Sequence, residues 1–289
     1  MESIRVDCNA KVNLFLRILD RREDGYHNIE TLFHSISLHD ILTLTRSGSG
    51  ISVSCDDTRV PLDHTNTAAR AARSVLKGTD RGLDIRIEKR IPIGAGLGGG
   101  SADAAGVLVG ANRLFGLGYT TSDLERIGGE VGADVAFLVR GGCAIGRDRG
   151  ERLERFPPLP GLPLVMVVPP LSIASGWAYR SYKMVLTRDR SRLTMVASAL
   201  AGGDLASLFA LLENDFESLV FERHPLVRSI KENLIEWGAG GALMTGSGPV
   251  VFGVFSKVGD AEACRGRFLD KGHSAILSTL ASKGVTAYR

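Results

Sequence analysis

The sequence offers little that would place it in a membrane, on a nucleic acid or around a metal. Its longest apolar run, LPLVMVVPPL at residues 162–171, is broken by prolines and falls well short of the ~20 residues of a membrane-spanning helix. The opening MESIRVDCNAKVNLFL mixes charges into its apolar residues and lacks a signal-peptide layout. The 35 Lys and Arg against 32 Asp and Glu leave a net charge of only +3, and the basic residues are scattered, so neither nucleic acid nor membrane is an expected partner. Cysteine is sparse. Cys8, Cys55, Cys143 and Cys264 lie far apart with no C-x-x-C pair, which speaks against a zinc site or redox motif and for reduced thiols in a cytoplasmic protein. His34, His39, His64, His224 and His273 have no metal-ligand spacing. No metal-ligating residue set is expected.

One stretch is rich where the rest is ordinary. PIGAGLGGGSADAAGVL, from Pro92 to Leu108, places five glycines in the seven positions Gly94–Gly100. Glycine lets N–H groups approach a ligand closely, and a following helix adds partial positive charge at its start, so the two together cradle an anion. The loop spells G-x-G-x-x-G through Gly94, Gly96 and Gly99. A dinucleotide fold, however, wants a buried parallel strand before the turn and an acidic residue ~20 residues on. Here the strand is half charged, Pro92 interrupts it, and GYTTSD follows. The loop also lacks the lysine of a P-loop, and no H-R-D or D-F-G kinase signature occurs. The positive charge must come from the helix end, a metal ion or a distant residue.

The surrounding pattern is α+β. KVNLFLRIL reads as an apolar strand and DILTLTRSGSGISVSC (40–55) as a hairpin about Ser-Gly-Ser-Gly. TNTAARAARSVLKG reads as a helix, and GLDIRIE as a strand with one wet face. The segment 101–115 is a helix that Ser101 can cap, with Asp103 in its first turn and Gly116 ending it. A capping box from Ser122 to Glu125 opens the next helix. Prolines around RFPPLPGLPLVMVVPP suggest a boundary that divides the chain into domains 1–157 and 158–289. Beyond it come two helical segments (194–212 and 225–238), strand, glycine turn and strand in ALMTGSGPVVFGVF, a polar helix and the strand SAILSTL.

Together, PIGAGLGGGSADAA, AKVNLFLRIL, REDGYHNIETLF, GADVAFLVRG and MTGSGPVVF resemble the GHMP kinase superfamily. They match in particular its branch acting on a cytidine diphosphate derivative on the route to isoprenoid precursors, and they fall in order over nearly the whole chain. The resemblance implies a two-domain α+β fold with the active site in the cleft between domains, and ATP and Mg²⁺ as cofactors. It implies that Pro92, Ile93, Gly94, Ala95, Gly96, Leu97, Gly98, Gly99, Gly100, Ser101 and Ala102 wrap the ATP phosphates. Asn66 falls at an adenosine-side position and is equally natural as a helix N-cap. Asp134 would be the catalytic base and Lys11 its partner. Tyr26, His27 and Tyr179 would hold the cytosine, which offers a flat face to stack on and a polar edge. Asn13, on the strand face of Lys11 by the two-residue period, and Ser175 are candidate substrate contacts. Asn214, Asp215 and Glu217 read as structural.

Three positions depart from the family pattern. Asn9 precedes Ala10-Lys11 where proline is usual, Ala136 replaces a common proline, and Ala102 replaces a serine. None removes a functional group. The alternatives are another member of the superfamily, acting on mevalonate, homoserine or a sugar, and a non-catalytic nucleotide-binding protein. Monomer and homodimer are both open.

Overall fold

Two strands of unusual length organise the chain. In the computed structural model, which describes residues 2–183 and 191–288, β1 (Ser3–Arg21) and β2 (His27–Ser47) run antiparallel along most of their length. The first half of β1 alternates buried and wetter residues, whereas Ala10–Ile18 is buried throughout. A strand covered on one face becomes a strand covered on both. Register shifts fall at Asn9/Lys11, Asn13/Phe15 and Ile18/Asp20. Such bulges turn side chains away from the regular alternation, and Lys11 and Asn13 lie between two of them.

The stretch 40–55 is not a hairpin. β3 (Ile51–Cys55) pairs in parallel with β4 (Gly82–Glu88), and β4, not β3, lies beside β2. Parallel neighbours need a crossover, and α1 (Thr67–Val75) supplies it. Ser-Gly-Ser-Gly does turn the chain, but Gly82 fills the space beneath it: a Cβ there would meet the Ser49 backbone at 2.7 Å. A local turn signal was overridden by a strand arriving from 30 residues away.

α2 (Gly99–Phe115) starts earlier than its sequence suggests. Its N-cap is Gly98 in the left-handed conformation, so Ser101 does not cap it, and Asp103 falls beyond the first turn. Gly116 ends it, as expected. α3 (Thr121–Val131) has its capping box at Thr120 and Asp123, two residues before Ser122 and Glu125. Thr120 is the last extended residue, so it alone can turn its hydroxyl back to the N3 amide. α4 (Ala133–Arg140) follows after one residue, and β5 (Cys143–Arg147) and β6 (Arg152–Phe156) extend the sheet beyond β2.

The remaining elements are β7 (Pro163–Val168), α5 (Ser175–Ser181), α6 (Ser191–Gly202), α7 (Leu205–Ala210), the short β8 (Glu213–Asn214), α8 (Phe216–Arg223) and α9 (Pro225–Glu236). Then come β9 (Gly241–Met244), β10 (Val251–Val254), α10 (Val258–Asp270), β11 (Ser274–Ala281) and β12 (Val285–Tyr288). The sheet runs β12-β1-β2-β11-β7-β10-β9. Its last two strands therefore return to the first two: Leu280 pairs with Ile36, and Tyr288 with Arg5. One apolar core lies between α1–α4 and the β1/β2 sheet. A second, around Phe216, Ile230 and Phe268, lies against β7, β9 and β10. The cleft opens between the two layers.

Candidate active site

The glycine loop and Lys11 meet at the floor of a cleft of about 1440 Å³. The Lys11 N–H donates to Leu97 O at 3.1 Å, so β1 and the loop are joined backbone to backbone. Gly98 lies against the lysine stem, where a Cβ would come within 3.2 Å of Lys11 Cε. Because Gly98 caps α2 without a side chain, the N–H groups of Gly98, Gly99, Gly100 and Ser101 have no partner within the helix. Ala102 is the first residue to bond back, to Gly98 O at 2.8 Å, and it is buried. Pro92 through Ser101 line the cleft and Ala102 does not.

Lys11 Nζ is 3.3 Å from Asp134 Oδ2 and donates to Asn13 Oδ1 at 2.7 Å. Lys11 is buried, whereas the Asp134 side chain keeps about a third of its surface open to the cleft. Asp134 sits in the first turn of α4, where the helix dipole favours a negative charge. Asn13 is fixed from below by Thr31 Oγ1, to which it donates at 2.7 Å. A buried ammonium is costly without partners. Here two oxygens satisfy it, and the Phe33 ring lies 5.5 Å away. The two-residue period that paired Lys11 with Asn13 in the sequence thus corresponds to a direct hydrogen bond.

A second glycine turn, 244–248, closes over the first. Thr245 Oγ1 accepts the Asn13 N–H at 3.1 Å and donates to Gly96 O at 3.3 Å. A Cβ on Gly96 would strike Thr245 O at 2.3 Å, so only glycine allows this approach. Asn214 Nδ2 donates to Met244 O at 2.6 Å and to Gly246 O at 2.8 Å, and Glu217 Oε1 accepts the Met244 N–H at 2.9 Å. The segment 214–217 therefore shapes the turn that meets the loop. Ser175 and Ser247 share a hydrogen bond of 2.9 Å, joining α5 to the same turn.

The far end of the cleft is aromatic. His27 and Tyr179 stack with centroids 5.3 Å apart, and Tyr179 meets the Phe216 ring edge-on. Burial, helped by the Asp134 charge, pushes the Tyr179 hydroxyl well above its ordinary range. Burial and then the Arg21 charge lower the His27 pKa, keeping a neutral ring with one donor and one acceptor nitrogen at pH 7. Tyr26 is 60 % exposed beside them, with the Arg149 guanidinium 5.4 Å from its ring. Nothing in the sequence pointed to Arg149, which lies on the β5–β6 turn. Asn66 is also at the cleft, but its amide is occupied: Oδ1 accepts the Ala68 N–H at 2.8 Å as the α1 cap, and Nδ2 donates to Pro61 O.

Among the described residues no three His, Cys, Asp or Glu side chains converge as a metal cluster. Asp134, Glu130 and Ser101 are among the oxygen-bearing side chains that line the cleft. Those three suit a hard cation that arrives on phosphates and takes one or two protein oxygens. The arrangement presents bare amides for an anion, a carboxylate paired with an ammonium for proton transfer, and stacked rings for a flat polar group.

Residues 66–142 match the model of the GHMP kinases N-terminal domain, and residues 196–273 that of the GHMP kinases C-terminal domain. A 4-diphosphocytidyl-2-C-methyl-D-erythritol kinase of Gloeobacter violaceus is 41% identical over 270 residues, covering 91% of this chain and 89% of its own. A crystal structure of 4-(cytidine 5'-diphospho)-2C-methyl-D-erythritol kinase superposes with a TM-score of 0.80 at 34% identity, over 96% of this chain and 99% of that one. A homoserine kinase of Cytophaga hutchinsonii superposes at 0.83 over 100% and 98% of the two chains, but with 20% identity it shares the fold alone.

Proposed function

Because the chain belongs to the GHMP kinases, and within them to the 4-diphosphocytidyl-2-C-methyl-D-erythritol kinase family, we propose that its cleft carries ATP on the glycine loop and the cytidyl acceptor on the aromatic end. The reaction is transfer of the γ-phosphoryl group of ATP to the 2-hydroxyl of 4-diphosphocytidyl-2-C-methyl-D-erythritol, a step towards isoprenoid precursors. The observation that carries the site assignment is the meeting of Lys11 and Asp134, 3.3 Å apart, beside the uncapped start of α2.

Phosphoryl transfer proceeds through a loose transition state, so the protein chiefly positions groups and offsets charge. The amides of Gly98–Ser101 face the triphosphate. The acceptor hydroxyl gives its proton to the Asp134 carboxylate as its oxygen meets phosphorus. Lys11 orients that carboxylate and offsets charge developing on the phosphoryl oxygens. Mg²⁺, bound through the phosphates with Ser101, Glu130 or Asp134 as protein oxygens, would neutralise charge on the β- and γ-phosphates. The cytosine would stack between Tyr26 and Tyr179 and present its polar edge to His27, with Asn13 and Ser175 on the acceptor side and Asn66 on the adenosine side. We place the domain division at 157/158, between β6 and β7, with β11 and β12 returning to the first sheet. A cytoplasmic monomer or homodimer, without nucleic-acid or membrane partners, fits the four free cysteines. Among the described residues no helix is long and apolar enough to cross a membrane.

The test is an assay of purified protein with ATP and a panel of acceptors: the cytidyl substrate, mevalonate, homoserine and galactose. Turnover of the cytidyl substrate alone is expected, and turnover of a non-nucleotide alcohol alone would overturn the reading. Asp134→Asn is expected to bind ATP normally and to lose about 10²–10⁴-fold in kcat. Unchanged turnover would remove Asp134 from the base role.

A further inference from the structure

Both ends of the glycine loop share one buried ionic anchor. Asp40, on β2, is fully buried. Its Oδ1 accepts the N–H groups of Arg90 at 2.6 Å and Ile91 at 2.8 Å, fixing the entry to the loop. Its Oδ2 accepts Lys89 Nζ at 2.5 Å. The same ammonium donates at 3.0 Å to Asp103 Oδ2, on α2 just after the loop ends. Lys89 is thus a strut between the strand that feeds the loop and the helix that leaves it. It stands against the cradle, since a Cβ on Gly99 would come within 3.2 Å of its Nζ, and with Asp103 it reaches the cleft wall there while both side chains stay almost wholly buried.

A buried cluster of this kind is poor value for stability alone. Two carboxyl groups crowd one ammonium away from water, and Asp103 Oδ1 finds no hydrogen-bond partner among the described residues. Apolar side chains of similar volume often serve stability as well or better. They cannot, however, accept two consecutive amides or direct a hydrogen bond onto a helix. What the cluster supplies is a fixed spacing between residues 89–91 and α2, and that spacing sets where the free amides of Gly98–Ser101 point. Burial pushes the Asp103 carboxyl up to about 7, with Lys89 drawing it back only in part, so the helix end of the strut carries its own desolvation cost.

We propose that Asp40, Lys89 and Asp103 are positioning residues for the triphosphate, acting through the backbone of the glycine loop and not by touching the nucleotide's phosphates themselves. This rests on the reading of that loop as the ATP cradle. A displacement of about 1 Å in such a cradle is enough to cost on the order of 10²-fold in rate.

The experiment measures ATP dissociation constants by calorimetry, with no acceptor present, and KM for each substrate in turnover. Lys89→Met is expected to weaken ATP binding at least tenfold, to raise the KM for ATP in parallel, and to leave the KM for the acceptor within twofold. Asp103→Leu leaves Lys89 on Asp40 but detaches α2, and it is expected to give the same split if Lys89→Met does not yield folded protein. Asp103→Asn retains an acceptor oxygen and should recover ATP binding to within threefold of the parent. If a folded Lys89→Met or Asp103→Leu protein binds ATP as the parent does, or if both substrates are affected equally, the proposal is wrong. If the parent itself does not bind ATP, the reading of the loop fails instead, and the two failures are told apart by that single titration.

Discussion

At the scale of single residues, the chemistry lies in side chains with few but well-placed partners. Tyr26 is the exposed member of the aromatic end, and base stacking on such a ring contributes about 1–3 kcal/mol. Tyr26→Ala is accordingly expected to raise the KM for the cytidyl substrate by about fivefold to a hundredfold, with the KM for ATP unchanged. A larger effect on ATP would show that the two ends of the cleft are reversed. Lys11 was legible through the resemblance, and a strand's period of two then placed Asn13 on its face, where the two share a hydrogen bond. Asp40 had a weaker signal, a charge set within the apolar run of LHDIL. Arg149 had none, since its place over Tyr26 depends on two turns separated by more than 100 residues. Ser175 was a candidate through the resemblance, but its bond to Ser247 was not legible, because that partner comes from another element entirely.

At the scale of elements, α2 uses its small residues in two ways. Its start is an uncapped cradle, but its middle is a packing surface. Gly106 lies against β1 so closely that a Cβ would fall 2.1 Å from Cys8 Sγ, and at Gly110 it would fall 2.4 Å from Leu44 Cδ1. Helix propensity alone would favour Gly106→Ala by about 0.8–1 kcal/mol. Overpacking costs about 1–3 kcal/mol and wins here. A lower urea midpoint is expected for Gly106→Ala, and a raised one would mean that α2 stands further from the sheet. Element boundaries were less legible than element types. Ser101 carries a capping side chain, yet Gly98 already turns the chain into the helix three residues earlier. The supposed hairpin at 40–55 failed because strand order in a sheet is decided by non-local pairing, and β4 takes the place beside β2.

At the scale of the whole molecule, the segment linking β6 to β7 is tied down by a histidine. His34, buried on β2, donates from Nδ1 to Ser35 O at 2.8 Å, while its Nε2 accepts the Leu159 N–H at 3.0 Å. Burial lowers its pKa to about 4. The unfolded chain takes up this proton below about 6.5 and the folded one only below about 4, so stability present above 6.5 is lost as pH falls through that window, by about 3 kcal/mol. Asp103 works in the opposite direction: its folded carboxyl binds a proton near 7 and the unfolded one near 3.8, so it adds stability as pH falls. The two partly cancel in the parent protein. A His34→Gln variant keeps a donor and an acceptor without titrating. Between pH 6.5 and 4.5 its urea midpoint should shift upward relative to that of the parent, and an unchanged difference across that range would show that His34 charges freely in the folded state.

β1 and β2 pass unbroken from one half of the molecule to the other, with Lys11 near the middle of β1. A shared spine of this kind does not let the halves gape like a clam around a single joint, since that would tear the ladder holding Lys11. Admission of two bulky nucleotides therefore falls to the rim, where short segments can yield while the floor stays fixed.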